Sequence, residues 1–296
     1  MRVATIDLGS NSCVFLAVER RDGVVRRIDS HRIITRLGAG IDARGTLAAE
    51  AIERTLSALR IVVDRADGLG VDGLAAVGTA ALREASNRHA VIDAAAGFGL
   101  PLRAISGEEE AALSYASAGA QGPALVVDVG GASTEFAWGQ GASLDGRVSV
   151  PIGSVRLHER IGLGAPVRPG GLEALAAEID GALAGLPELA GRELLAVAGT
   201  AVSAAQAHMG LMAYDHERID GHRLPASALN ALIGAMAALS VEERIARYGL
   251  DPGRADVLPA GLMILARATR RLGLEALTVR DRGVAWGLAL RLLEER

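Results

Sequence analysis

The chain has 296 residues, which predicts about two domains, since domains commonly run roughly 100–200 residues. Half of the residues are apolar but only 3% are aromatic, which argues against a platform on which nucleic-acid bases would stack. The formal charge of −4, from 31 basic and 35 acidic residues, argues against bulk attraction to nucleic acid or to an anionic membrane.

In the first half, apolar runs and helical spacing predict strands interspersed with helices. The predicted strands cover residues 3–7, 13–20, 24–30, 74–77 and 102–105. The predicted helices cover residues 47–66 and two runs that open at Ala80 and Gly107. Arg21-Asp22-Gly23 supplies a hairpin turn between the second and third strands. This order of elements is typical of a ribonuclease-H-like unit.

The second half restarts the same pattern after a glycine-containing hinge at 119–123. Its predicted strands cover residues 124–128, 134–138, 147–150, 194–197 and 277–279, with a hairpin around Asp145-Gly146. Its predicted helices cover residues 172–186, a region from 225 to 271 with breaks at Gly249 and Pro252, and residues 285–293. We therefore predict domains over 1–120 and 121–296.

Two pairs of motifs recur at one spacing. The segment Asp7-Leu8-Gly9-Ser10-Asn11-Ser12 returns as Asp128-Val129-Gly130-Gly131-Ala132-Ser133, and Gly78-Thr79-Ala80 returns as Gly199-Thr200-Ala201. Both pairs are 121 residues apart, which indicates a duplicated domain. The sequence thus predicts an α/β chain with the duplicated, actin-like (ribonuclease-H-like) fold, whose two lobes face each other across an interdomain cleft.

The duplicated turns predict a site for phosphates and a metal. Asp7 and Asp128 each end a predicted strand, at the edge where open α/β sheets bind ligands. Carboxylates there can hold Mg²⁺, and the small residues that follow let backbone N–H groups approach phosphate oxygens. Glu135 could face the same metal or face solvent, because alternation along its strand allows both.

Other candidate residues follow from position. In Gly107-Glu108-Glu109-Glu110-Ala111 the acids suit the first turn of a helix, or one of them activates a water aimed at phosphorus. Arg83, four residues after Thr79, is the best placed of the basic residues to meet an anion. The single Cys13 is interpreted as a small buried apolar residue. The histidines 208, 216 and 222 lack the spacing of metal ligands.

The sequence resembles the exopolyphosphatase and guanosine-pentaphosphate phosphatase family. The resemblance rests on motifs in the family's order: 6–12 (IDLGSNS), 78–83 (GTAALR) with Asn87, 106–111 (SGEEEA), 127–135 (VDVGGASTE), 151–157 (PIGSVRL) and 254–261 (RADVLPAG). They extend over nearly the whole chain. Two positions depart from the family's usual pattern: Ala132 stands where a third glycine is common, and residues 283–287 read GVAWG in place of GLREG.

The resemblance implies hydrolysis of a terminal phosphoanhydride with Mg²⁺, or alternatively Mn²⁺, as cofactor. It implies that Glu110 is the catalytic base and that the metal is held by Asp128, Glu135 and Asp7. The implied phosphate contacts are Gly9, Ser10, Asn11, Ser12, Arg83, Gly130, Gly131, Ala132 and Ser133. The substrate would be inorganic polyphosphate or guanosine pentaphosphate, and the chain would be a homodimer of the short, two-domain form.

Two readings of another kind stay open from the sequence. Actin-like phosphotransferases and ATPases also use paired Asp-Gly turns, and a non-catalytic protein could bind polyphosphate or guanosine alarmones. No run approaches the roughly 20 apolar residues of a membrane span, and charged residues interrupt the first apolar stretch. We therefore expect a cytoplasmic protein that contacts neither membranes nor nucleic acid.

Overall fold

The computed structural model describes residues 1–189 and 191–295. The chain forms two units, one made of Met1–Ser117 with Val284–Arg296 and the other of Ala118–Gly283. Each unit consists of one mixed β-sheet and the helices that cover it. The chain thus has the duplicated α/β fold of the actin-like class that the sequence predicts.

The sheet of the first unit has the strand order β3-β2-β1-β4-β5. Its strands are β1 Arg2–Leu8, β2 Ser12–Arg21, β3 Val24–Ile34, β4 Gly73–Gly78 and β5 Leu102–Ala104. The first three are antiparallel, and β4 and β5 continue parallel to β1. The turn between β2 and β3 is the predicted one, with φ angles of 52° at Asp22 and 77° at Gly23 that suit a hairpin.

Five helices lie between or directly after the strands of the first unit. They are α1 Ile41–Arg44, α2 Ala49–Leu69, α3 Ala80–Glu84, α4 His89–Ala96 and α5 Gly107–Ala118. Helix α2 buries Leu59 and Val62 against the sheet, where they join Ile6, Leu8 and Phe15 in one core. The predicted run from Ala80 is two short helices because the chain turns between Glu84 and His89.

The sheet of the second unit repeats this order and adds one strand. Its strands are β6 Pro123–Val129, β7 Thr134–Gln140, β8 Ser143–Val150, β9 Glu193–Val197, β10 Arg223–Pro225 and β11 Ala276–Val279. The spatial order is β10-β11-β9-β6-β7-β8, in which β6, β9 and β11 are parallel. Strands β8, β7, β6, β9 and β11 therefore correspond in this order to β3, β2, β1, β4 and β5 of the first unit, with β10 as an added edge.

The helices of the second unit surround a core of Leu, Val, Ile and Ala side chains. They are α6 Ser154–Ile161, α7 Gly171–Leu183, α8 Ala198–His208, α9 His216–Ile219, α10 Ala226–Ala237, α11 Val241–Tyr248 and α12 Leu258–Arg271. No helix in the described part of the chain combines the length and the hydropathy needed to cross a bilayer.

The hairpin predicted around Asp145-Gly146 is wrong. Strands β7 and β8 turn at residues 141 and 142 instead, and Gly146 lies within β8 opposite Trp138. A Cβ on Gly146 would overlap the indole ring of Trp138. Glycine at position 146 leaves room for the Trp138 ring over strand β8, so this glycine does not mark a turn.

The last helix, α13 Val284–Glu294, belongs to the first unit and not to the second domain predicted over 121–296. Trp286 packs in one cluster with Val3 and Leu16 of the first sheet. The hydroxyl of Thr5 donates a hydrogen bond of 2.8 Å to the Ala285 carbonyl. This face of the first sheet is apolar and must be buried against another element. Helix α13 at the end of the chain packs against it.

Candidate active site

The first glycine turn joins β1 to β2 in the first unit. Gly9 N–H donates to the Ser12 carbonyl at 2.9 Å and closes the turn. Asp7 lies one residue before the end of β1, and the parallel strand β4 runs beside it. Asp7 thus lies at the carboxyl edge of the parallel strands, where open α/β sheets bind ligands.

The second turn repeats this geometry between β6 and β7. Gly130 N–H donates to the Ser133 carbonyl at 3.0 Å. Asp128 lies one residue before the end of β6, with the parallel strand β9 beside it. The duplication predicted from the sequence is therefore present in the backbone hydrogen bonds.

A loop after β3 supports the first turn. Gly38 N–H donates to the Ser10 carbonyl at 2.8 Å, and Arg36 N–H donates to the Asn11 carbonyl at 3.0 Å. A Cβ on Gly38 would lie 2.7 Å from the Cβ of Ser10, so only glycine allows this approach. Since these turn carbonyls already accept bonds, N–H groups are what the turn can offer an anion.

The start of α6 supports the second turn in the same way. Ser154 N–H donates to the Gly130 carbonyl at 2.9 Å, and Arg156 N–H donates to the Gly131 carbonyl at 3.0 Å. A Cβ on Gly153 would overlap the backbone of Gly131. The 151–157 motif thus supports the second turn through backbone hydrogen bonds, a role that the sequence of the motif alone does not reveal.

Ala132 fits the second turn without strain. The non-glycine residues with a positive φ angle in the described chain are Asp22, Arg36 and Ala198, so Ala132 does not need the freedom of glycine. Its side chain is 3% exposed, which places its methyl group in the interior. The alanine is therefore compatible with the same turn geometry.

Two carboxylates lie side by side at the second turn. Asp128 of β6 and Glu135 of β7 are direct partners across the antiparallel pair and are 5% and 1% exposed. Partners of this kind have Cβ atoms about 4.5–5.5 Å apart on one face of the sheet. Ser149 of β8 donates a hydrogen bond of 2.7 Å to Oε1 of Glu135. The strand register places Glu135 on the same face of the sheet as Asp128 and, with its burial, rules out a solvent-facing side chain.

The donor set of this pair suits a hard cation. An ionised carboxylate pair on one face of a sheet repels, and a cation between the two groups removes that repulsion. Among the described residues, no three His, Cys, Asp or Glu side chains converge on one point. Two carboxylates completed by water and substrate phosphates are the usual protein environment of Mg²⁺.

Glu110 forms an ion pair with Arg83 within the first unit. Arg83 Nη1 lies 3.0 Å from Oε2 of Glu110 and also donates to the Ile105 carbonyl at 3.0 Å. The side chain of Glu110 is 8% exposed and that of Arg83 is 26% exposed. Glu110 and Arg83 are therefore direct neighbours, although the sequence analysis gave them different roles, general base and phosphate contact.

The preceding Glu109 is tied to two arginines. Arg103 Nη2 and Arg291 Nη1 each lie 2.6 Å from its Oε1, and Arg103 Nη1 donates to its Oε2 at 2.8 Å. The hydrogen bonds from Arg103, helped by Arg291, lower the pKa of Glu109 to about 2 against the opposing effect of burial. Glu109 thus anchors the first turn of α5 to β5 and α13.

The sequence interpretation of Cys13 as a buried apolar residue is confirmed. Cys13 follows the first turn on β2 and is 0% exposed. Burial raises the pKa of its thiol to about 12, and the nearby charge of Asp7 adds to the shift. A thiol with this pKa is a poor nucleophile at neutral pH.

Three of the histidines make contacts that the sequence analysis missed. Nδ1 of His216 lies 2.6 Å from Oδ2 of Asp281, which also accepts a hydrogen bond from the Tyr214 hydroxyl. His208 Nδ1 and His222 Nε2 lie 2.9 Å apart. The partners are 14 to 67 residues apart in sequence, so no local motif could have revealed them.

Comparison with known proteins places the chain in a family. The family model described as the Ppx/GppA phosphatase family matches residues 16–296. The chain is 34% identical over 316 aligned residues to exopolyphosphatase 2 of Mycobacterium tuberculosis, covering 98% of each protein. It is 31% identical over 304 residues to a guanosine-5'-triphosphate,3'-diphosphate pyrophosphatase of Vibrio campbellii, and spans 59% of the length of that relative.

Solved structures agree with the sequence relatives. The Aquifex aeolicus member of the Ppx/GppA protein family is 27% identical and superposes with a TM-score of 0.84, over 100% of this chain and 99% of that one. Family match, sequence identity and fold all extend over essentially the full chain. The chain therefore belongs to the Ppx/GppA phosphatase family.

Proposed function

We propose that this protein is an exopolyphosphatase, a hydrolase that releases the terminal phosphate of inorganic polyphosphate by attack of water. The observation that carries the proposal is the match to a mycobacterial exopolyphosphatase over 98% of both chains. The two braced glycine turns support it, because each offers N–H donors to an anion at the edge of a sheet. A chain of phosphates needs more than one such contact.

Each of the two turns would bind phosphate oxygens. In the first unit these contacts come from Gly9, Ser10, Asn11 and Ser12, and in the second from Gly130, Gly131, Ala132 and Ser133. Arg83 would add a guanidinium group, which binds phosphate oxygens through paired N–H donors. Preorganised donors of this type stabilise the charge that develops during phosphoryl transfer.

Mg²⁺, or Mn²⁺ in its place, would be held by Asp128 and Glu135, and the metal role that the resemblance implies for Asp7 stays a prediction. The bound cation would neutralise charge on the phosphates and polarise the phosphorus. The adjacency of Asp128 and Glu135 supports this assignment, because the pair has the oxygen donors that the ion prefers. Ser149 orients Glu135 through its hydrogen bond to Oε1.

Glu110 would act as the general base. Its carboxylate would accept a proton from the attacking water, as a base within hydrogen-bond reach of its substrate can do. The ion pair with Arg83 fixes the position of Oε2 and links the base to a group that would contact phosphate. Arg83 would thus serve both as an anion contact and as a positioning residue for Glu110.

A second candidate function is removal of the 5'-phosphate from guanosine pentaphosphate. The Vibrio relatives, about 31% to 33% identical over 99% of this chain, carry the name of a guanosine-5'-triphosphate,3'-diphosphate pyrophosphatase. Both substrates end in a phosphoanhydride, so the same turns and base would serve both. The homodimer and the cytoplasmic location expected from the sequence stay predictions.

The test is phosphate release from short polyphosphate, long polyphosphate and guanosine pentaphosphate, each with and without Mg²⁺. We expect release from polyphosphate that requires the divalent ion. ATP with candidate acceptors is run in parallel, because a phosphotransferase would label an acceptor and release little phosphate. Tight binding of polyphosphate with no metal-dependent release would contradict the proposal and would indicate a binding protein.

A further inference from the structure

The last helix of the chain, α13, contacts the helix that carries Glu110. The residues of α13 that meet α5 are three or four positions apart, the spacing of one helical stripe: Val284, Gly287, Leu288 and Arg291. Val284 and Leu288 join Leu113 of α5 in one apolar cluster, in which Leu113 is 1% exposed. None of the groups proposed to bind phosphate or metal or to accept a proton belongs to α13, so the proposed hydrolysis gives this helix no role.

Gly287 allows the backbones of the two helices to meet. A Cβ at this position would overlap the carbonyl group of Leu113, so any side chain would force α13 and α5 apart. Glycine in the middle of a helix is unfavourable relative to alanine, and the close approach explains why it stands here. The 283–287 motif departs from the family's pattern between its two glycines and keeps both of them. The retained Gly287 thus marks a contact between α13 and α5.

Arg291 contacts α5 one turn earlier than Gly287 does. Its Nη1 lies 2.6 Å from Oε1 of Glu109, the residue directly before Glu110. Arg103 of β5 binds the same carboxylate through two hydrogen bonds of 2.6 and 2.8 Å. The contacts of α13 with α5 therefore lie on both sides of Glu110, at residue 109 and at residue 113.

The position of α5 decides where the Glu110 carboxylate lies. Its Oε2 is 3.0 Å from Nη1 of Arg83, and that guanidinium also donates to the Ile105 carbonyl. Arg83 is on α3 and Ile105 precedes α5, so both belong to other parts of the unit. A displacement of α5 by about 1 Å would change the separation of Glu110 from Arg83 and from the attacking water. Misplacement of a reacting group by this distance can cost on the order of 100-fold in rate.

We propose that Gly287 and Arg291 are positioning residues for the general base, and that α13 acts on the reaction through Glu110. Gly287 sets the distance between the two helices, and Arg291 holds the first turn of α5 through Glu109. The inference deepens the proposed hydrolysis and rests on it, because the role of α13 requires that Glu110 accepts the proton of the attacking water.

The first test is the kinetics of Gly287→Ala, Arg291→Gln and Arg291→Lys on tripolyphosphate with Mg²⁺. We expect Gly287→Ala to lower kcat roughly 10- to 100-fold with KM nearly unchanged, because the lost interaction is made in the transition state. Arg291→Gln should lower kcat in the same way, and Arg291→Lys, which keeps the charge, should restore part of it. Gly234→Ala on α10, where an added Cβ meets nothing within 4 Å, is the matched control and should keep native kcat.

Native kcat in Gly287→Ala or in Arg291→Gln would remove that residue from the role, and native kcat in both would overturn the proposal. A rise in KM with unchanged kcat would also overturn it, because α13 would then support phosphate binding and not the base.

A double variant distinguishes positioning of Glu110 from general damage to the fold. Residues that act as one unit have non-additive effects on rate, so Gly287→Ala added to Glu110→Gln should lower kcat no further. A further loss as large as that of Gly287→Ala alone would overturn the proposal, because α13 would then act on a group other than the base.

Amide hydrogen exchange of residues 107–113 tests the hold of α13 on α5 without use of activity. Exchange should be faster in Gly287→Ala and Arg291→Gln than in the native protein and in Gly234→Ala, because the contacts that hold the start of α5 are lost. Where Gly287→Ala does not fold, Arg291→Gln provides the comparison. Unchanged exchange would overturn the proposal even if the native protein releases no phosphate, an outcome that contradicts the proposed function itself. Full activity of Glu110→Gln would overturn the base assignment and the proposal together.

Discussion

At the scale of single residues, the proposed hydrolysis depends most on Glu110. Changing Glu110→Gln keeps the size and the hydrogen-bonding capacity of the side chain but removes its basicity. We expect kcat on tripolyphosphate to fall roughly 10²- to 10⁴-fold, the usual contribution of a general base. Steady-state phosphate release at saturating substrate measures this.

The neighbouring Glu108 supplies the matched control. It lies in the same first turn of α5 but is exposed. Glu108→Gln should therefore keep kcat within about twofold of the native protein, since surface changes away from a site have small effects. Normal turnover in Glu110→Gln would remove that residue from the role of base.

A second residue-scale prediction concerns the brace of the second turn. A methyl group in Gly153→Ala would overlap the backbone of Gly131, so the turn must shift. We expect kcat/KM to fall at least tenfold, because displacement of phosphate-binding groups by about 1 Å can cost on the order of 100-fold.

Gly185→Ala, where the added Cβ meets nothing within 4 Å, controls for the substitution itself. A Gly153→Ala protein with native kinetics would show that the turn does not need this support. Thermal unfolding of both variants separates a local shift at the turn from loss of the fold.

At the scale of elements, Glu109 ties the start of α5 to β5 and α13 through Arg103 and Arg291. Its folded pKa of about 2 lies below the ordinary value of 4.5. The carboxylate therefore stabilises the fold above about pH 4.5, and this stability is lost as the pH falls towards 2.

We expect the native protein to exceed Glu109→Gln in free energy of unfolding by about 1–3 kcal/mol at pH 6, after a discount for partial exposure. The difference should shrink to near zero by pH 2. Urea unfolding at several pH values measures it, with Glu108→Gln as the control. A difference that does not change with pH would contradict the ion-pair network.

Much of the secondary structure was predictable, because strands and helices leave a local pattern. Strands β1, β2 and β6 were predicted to within one or two residues at each end. Helix α6 was not predicted as a helix, since its residues were recognised only as a motif. The turn assigned to Asp145-Gly146 was wrong because that glycine makes room for Trp138, and the effect of a distant ring is not readable from turn residues.

The candidate site was predictable in part for a similar reason. The two glycine turns were predictable because similar motifs recur in the sequence at a constant spacing. The backbone hydrogen bonds confirm that both turns close in the same way. The Arg83–Glu110 pair joins residues 27 apart, and the Arg291–Glu109 pair joins residues 182 apart. Such contacts depend on how the sheet brings α3, α5 and α13 together, which no local pattern encodes.

At the scale of the whole molecule, the chain is a duplicated unit whose final helix returns to the first copy. Each copy supplies a glycine turn after an aspartate-bearing strand, and each turn is braced by backbone N–H groups of a following segment. The first copy adds Glu110 with Arg83, and the second adds Glu135 beside Asp128. The duplication thus provides two glycine turns of one design, with different acidic groups in each unit.

The central claim is that water attacks the terminal phosphorus of a phosphate chain. Hydrolysis of tripolyphosphate in ¹⁸O-enriched water with Mg²⁺, followed by mass spectrometry of both products, tests it most directly. We predict one ¹⁸O atom in each released orthophosphate and none in the shortened chain, because the new bond forms at the terminal phosphorus. Label in the shortened chain, or no release of orthophosphate by the protein, would contradict attack of water on the terminal phosphorus.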